Sequence, residues 1–238
     1  MSERHGSIEF TRNFRLDLER LFAAVSVGPP IAFARFADGE AALLRGEHYR
    51  AKSDKWETYG HKVPDLVDGM KNALACELPG WHVGITAMSH HPIDHDYFMN
   101  EVAVDLDKIS FAELFIFGNW ERFRTLIEPL DYCVVGCGAD TMGKRGYDIP
   151  PDATADPAFD IEPVVGWMLQ QTRPILLAAG PVAKWLAFEY WWTTHHLCEY
   201  QRNSVIDVGS ALSPMLRGRK TRHYHDQEHE DAKVIPVW

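Results

Sequence analysis

The sequence predicts an α/β fold: a Rossmann-like, mainly parallel sheet with helices on both faces. Two observations carry this. Apolar runs such as those at 31–36 and 175–179 have the length and content of strands covered on both faces. Between such runs lie stretches with apolar residues at helical spacing, so strands and helices alternate, the pattern of one parallel sheet. The 238 residues suffice for one large core, and no repeat or low-complexity linker divides them, so a single domain over 1–238 is expected.

Taken in order, Phe14, Leu18, Leu21, Phe22 and Val25 set an amphipathic helix that Gly28-Pro29-Pro30 stops. The first strand follows at 31–36, then a short helix signal at 41–46. Residues 47–62, with Lys52, Lys55, Trp56, Tyr59 and His61, read as an exposed loop beside the first strand's end. Pro64 opens a helix with Leu66, Val67, Met70 and Leu74 on one stripe. Strands are expected at 81–86, 114–117, 132–135, 175–179 and 204–208, with helices at 97–107, around Trp120–Ile127, at 161–171 and at 182–193. The aromatic stripe of the last helix (Trp185, Phe188, Tyr190, Trp191, Trp192) reads as core.

Hydrophobic residues make up 46% of the chain, which is the composition of a globular protein. The formal net charge of -10 argues against broad binding to nucleic acid and disfavours a nucleic acid acceptor. No apolar run has the length of a membrane span and the N-terminus lacks an apolar leader, so a cytoplasmic protein is expected. Cys76, Cys133, Cys137 and Cys198 form no C-x-x-C pair, so neither a zinc site nor a disulfide framework is indicated.

Chemistry gathers where the first strand ends. Asp38 and Glu40 flank Gly39 at the passage from strand to helix. Two carboxylates there, with a glycine allowing close approach, suit a hard divalent cation held against a phosphate. The same residues also suit a helix start, with Asp38 as cap and Glu40 at the positive end. Ser89 to Asp96 holds three histidines and two aspartates without regular metal-site spacing; His91 or Asp94 could serve as base toward an acceptor hydroxyl. The long segment 136–160 carries Lys144 and Arg145 between glycines, which suits a lid over a diphosphate. Gly180-Pro181 turns a strand into a helix whose N-terminus could bind phosphate, or is simply a tight turn. Asp207 is placed for a ribose or sugar hydroxyl, or for a cap, and Arg217, Arg219, Lys220 and Arg222 form a basic cluster able to steer an anion.

Three of these stretches also carry a resemblance. Arg35-Phe36-Ala37-Asp38-Gly39-Glu40 resembles the Arg-(Tyr/Phe)-Gly-Asp-Gly-Glu signature of the GT-D-type glycosyltransferases. Gly180-Pro181-Val182-Ala183 is similar to that family's Gly-Pro-Thr-Ala segment, and Asp207-Val208-Gly209 to its Asp-Ile-Gly segment. They fall in the family's order; Ala37, Val182 and Ser210 depart from its glycine, threonine and histidine. The resemblance implies a metal-dependent glycosyltransferase. It would move a sugar from a nucleotide-diphosphate donor, a UDP-sugar foremost, to a hydroxyl of a glycan, glycoprotein or other acceptor. It further implies Mn²⁺ or Mg²⁺ on Asp38 and Glu40, Arg35 as a second cation, and a nucleotide pocket shaped by Gly180 and Pro181. Two other readings share these residues: a non-catalytic nucleotide-sugar-binding module, and a metal-dependent phosphohydrolase.

Overall fold

The computed structural model describes residues 8–51, 56–103, 105–197, 202–218, 222, 225–226 and 228–238. Its centre is a seven-stranded sheet, all parallel. The strands are β1 (Ala32–Phe36), β4 (Trp81–Ile85), β5 (Ile109–Phe111), β6 (Cys133–Gly136), β7 (Gly146–Asp148), β8 (Ile175–Ala178) and β9 (Val205–Asp207). Their order across the sheet is β5-β4-β1-β9-β8-β6-β7. A separate antiparallel hairpin joins β2 (His48–Ala51) to β3 (Trp56–Tyr59). The helices are α1 (Phe14–Val27), α2 (Asp38–Leu44), α3 (Pro64–Leu74), α4 (Pro92–Glu101), α5 (Trp120–Ile127), α6 (Glu162–Leu169), α7 (Val182–His196) and α8 (Ser213–Arg217).

The period-two rule of strands sorts the core into two layers. Ala32, Ala34 and Phe36, with Cys133, Val135, Ile175, Leu177 and Val205, face the layer of α3, α6 and α7. Ile31, Phe33, Val134, Leu176 and Ile206 face the layer of α1 and α5. Both faces are therefore covered, which is why these strands read as largely apolar runs, Arg35 and Asp207 apart.

The chain leaves β1 for β4 and β5 at one edge, then crosses to β6 and the other half of the sheet. The direction of winding thus changes between β1 and β9. In open parallel sheets, the crevice outside the strands' carboxyl ends at such a point is where ligands bind.

Several expected elements lie elsewhere. The strand expected at 114–117 is β5, earlier in the chain. Leu114 and Phe115 are fully buried, but the chain there is turning, with Leu114 N–H donating to Phe111 O and Ile116 N–H to Glu113 O. Burial, not backbone form, produced that apolar signal. The helix expected at 97–107 begins at Pro92 and ends at Glu101, because proline is well placed in a first helical turn. The expected loop 47–62 contains the hairpin, Lys52 and Lys55 lying outside the described residues. The segment 136–160 is no free lid. It holds a 3₁₀ turn at Ala139–Arg145 and strand β7, and it buries Ala139, Ile149, Ala153 and Thr154.

Candidate functional site

At the carboxyl ends of β1, β9 and β8, the three stretches singled out in the sequence meet. Asp207 closes β9 and is fully buried. Its Oδ2 accepts from the Arg35 backbone N–H at 3.2 Å and its Oδ1 from Gly209 N–H at 3.0 Å. Glu40 sits in the first turn of α2, where its Oε2 accepts from Ala37 N–H at 2.9 Å. Lys184, in the first turn of α7, joins the two acids. Its Nζ lies 2.7 Å from Glu40 Oε1 and 2.9 Å from Asp207 Oδ2, and donates to Gly180 O at 3.1 Å. All three side chains are buried. In a site this dry, each member depends on the others, since a buried charge without its partners is costly.

Arg35 is the second feature. It sits on β1 one residue before the strand's end, with its neighbours Ala34 and Phe36 in the opposite core layer. Its guanidinium therefore lies on the α1 and α5 side of the sheet, with Cζ 5.7 Å from the Phe115 ring. Gly209, at φ +55°, folds over it so closely that a Cβ there would stand 2.2 Å from Arg35 Nη1. Only 8% of Arg35 is exposed, yet its Nε and Nη1 have no hydrogen-bond partner. Two donors of a buried cation thus lie enclosed without an acceptor, which leaves its positive charge uncompensated at these strand ends.

Not every expected residue joins this cluster. Asp38 begins α2 and is exposed. Gly39 gives close approach to a side chain of the protein itself: a Cβ there would stand 2.7 Å from the Tyr49 ring. Gly180 is exposed at the head of α7, with Pro181 buried behind it. His91 is exposed at the start of α4, beyond the carboxyl end of β4. Its Nδ1 is 4.0 Å from Asp94, whose other oxygen is held by Arg45 Nη1 at 2.7 Å. Arg45 is raised above its ordinary value, chiefly by its hydrogen bond to Glu47 and further by Asp94.

Lys144 and Arg145 are a correction. They precede β7 and stand at the amino-terminal edge of the sheet, opposite the candidate site. Arg145 pairs there with Asp131 at 3.4 Å, and Arg173 reaches the same carboxylate at 2.5 Å, holding it below the usual carboxylate range. Of the glycines around the pair, Gly146 packs closely on the Ala139 carbonyl, while Gly143 turns the chain at φ +57° with open space beside it. Of the basic tail, Arg217 ends α8, while Arg219 and Lys220 lie outside the described residues.

Lys184 itself was missed in the sequence. The signal was a cation in the first turn of an otherwise apolar helix, four residues after Gly180. Beside it, Trp185 lines a shallow groove between α3 and α7 together with Val63, Phe159, Asp65 and Asp156.

The Asp38–Glu40 pair does not fit a two-carboxylate chelate. Both Glu40 oxygens are committed, one to backbone and one to Lys184, and a metal bridging the pair would have to displace that ammonium. Among the described residues no group of three or more His, Cys, Asp or Glu side chains could hold a metal ion.

No family model and no curated protein matches the chain. Two solved structures share its fold. One is described as "The highly conserved domain of unknown function 1792 has a distinct glycosyltransferase fold". It is 14% identical with a TM-score of 0.54, over 94% of this chain and 88% of that one. The other, a selenomethionine-substituted domain of unknown function 1792, is 15% identical with a TM-score of 0.50, over 86% of this chain and 79% of that one. The chain is thus an α/β protein whose seven-stranded parallel sheet, with helices around it, matches that glycosyltransferase fold. No helix among the described residues is long and apolar enough to cross a membrane.

Proposed function

We propose that the protein is a glycosyltransferase that takes a sugar from a nucleotide-diphosphate donor and passes it to an acceptor hydroxyl. The observation that carries this is Arg35, a buried guanidinium with two enclosed, unpaired donors near the carboxyl ends of β1 and β9, across the sheet from the head of α7. A diphosphate across those strand ends meets a fixed cation and the amino-terminal end of a long helix, both favourable to negative charge. As the anomeric carbon parts from the diphosphate oxygen, the bonding electrons leave with the diphosphate, and Arg35 stabilises that charge where it develops. The acceptor oxygen bonds to the anomeric carbon, and its proton passes to a base. His91, exposed on the same side of the sheet, takes that role, with Asp94 already held by Arg45.

The test is a panel of nucleotide sugars incubated with the protein and simple glycoside acceptors. Release of nucleoside diphosphate, stimulated by acceptor, is the expected result. Release of inorganic phosphate from simple phosphoesters would assign a phosphohydrolase instead, and nucleotide binding without turnover a binding module.

A further inference from the structure

We propose that Lys184 permanently fills the place a divalent cation would take between Glu40 and Asp207, so that the donor diphosphate is held without a metal on Glu40. An ammonium has three N–H groups and no more. Those of Lys184 face three oxygens: Glu40 Oε1 at 2.7 Å, Asp207 Oδ2 at 2.9 Å and Gly180 O at 3.1 Å. The remaining oxygen of each carboxylate accepts a backbone N–H, from Ala37 and from Gly209. Lysine and both acids thus have all their polar atoms engaged. Lys184 is 4% exposed, Glu40 7% and Asp207 0%, so the cluster has little water with which to exchange partners.

These contacts amount to a coordination sphere built from the three stretches that define the site, with an ammonium at its centre. A hard cation entering it would meet a like charge and would have to break hydrogen bonds to the backbone as well. Asp38 is the one acid of the pair left outside, and a single exposed carboxylate is a poor anchor for a metal. The uncommitted positive charge near these strand ends is that of Arg35, whose Nε and Nη1 are enclosed without a partner. The inference rests on the transferase reading only for the identity of the anion; the occupancy of the cation place stands without it.

Mn²⁺ titration, followed by the electron-spin signal of the free ion, tests occupancy in the wild type, Glu40→Gln and Lys184→Ala. The wild type and Glu40→Gln are expected to bind Mn²⁺ equally weakly. Lys184→Ala, prepared with Mn²⁺ present, is expected to bind one ion roughly 10- to 100-fold more tightly than wild type, the scale of removing a neighbour that governs a metal site, and to melt higher when the ion is added. Tight wild-type binding that Glu40→Gln abolishes overturns the proposal. So does a folded Lys184→Ala that gains no Mn²⁺ binding. Should Lys184→Ala not fold, the wild type and Glu40→Gln decide alone.

Calorimetry of UDP in chelator and in Mn²⁺ then separates this claim from the function. Affinities within about twofold of each other support it, well under one tenfold step of 1.4 kcal/mol. UDP binding that needs Mn²⁺ and Glu40 overturns it and leaves the transferase standing. Absence of UDP binding in both conditions removes the diphosphate from the proposed function, while the Mn²⁺ titrations still decide the occupancy.

Discussion

Arg35 and Lys184 are both buried cations at the same strand ends, and their surroundings assign them opposite tasks. Lys184 has its three oxygens, so its removal leaves two buried carboxylates uncompensated, and Lys184→Met should destabilise the fold by about 3–5 kcal/mol. Arg35 lacks partners for two nitrogens, so Arg35→Met should melt at or above the wild-type temperature while weakening UDP binding about a hundredfold. Calorimetry and thermal melts on the two variants read both effects. His82 gives a separate test of the buried interior. Burial, with Lys108 nearby, depresses it from 6.5 to about 4 in the folded chain. The unfolded chain therefore takes up a proton first as pH falls, and the fold loses about 1.4 kcal/mol per pH unit from pH 6.5 down to about 4. Urea midpoints of wild type and His82→Leu should show this slope in the wild type and a shallower one in the variant.

Helices α3 and α7 meet through Gly69, where a Cβ would stand 2.3 Å from the Trp185 ring. Gly69→Val should push these helices apart and destabilise the fold by about 1–3 kcal/mol, measurable by chemical unfolding. The 136–160 segment makes the contrasting case. Because β7 pairs with β6 and Ile149 is buried, amides at 146–149 should exchange slowly in the ligand-free protein, as a lid's would not. That segment also shows where the sequence misleads. Its glycines, prolines and charges have the composition of a loop, yet it packs through a few apolar residues, Ile149 and Ala153 among them, that set up no period. The runs at 31–36 and 175–179 are legible because both their faces are covered, so every side chain but Arg35 carries the same apolar message. The hairpin 48–51 and 56–59 escaped notice because its strands are polar and, among the described residues, pair only with each other. The acids of the site were legible from their place after a strand. Their partner was not, since the Glu40–Lys184–Asp207 contact joins residues far apart in sequence, and nothing local marks which charges meet.

Across the whole molecule, the change in winding between β1 and β9 brings the chain's early and late segments to one crevice. The first core layer supports it through α3 and α7, the second through α1 and α5, and Arg35 and Lys184 approach it from opposite faces of the sheet. Anion binding should therefore be felt on both faces at once, at strand ends distant in sequence. Amide hydrogen exchange with and without saturating UDP tests this most directly. The expected result is slowed exchange at 35–40, 182–185 and 207–210 together, with the amino-terminal edge around Arg145 unchanged. No protection at those three stretches, or protection confined to the Arg145 edge, would contradict a diphosphate site at the carboxyl ends of β1, β8 and β9.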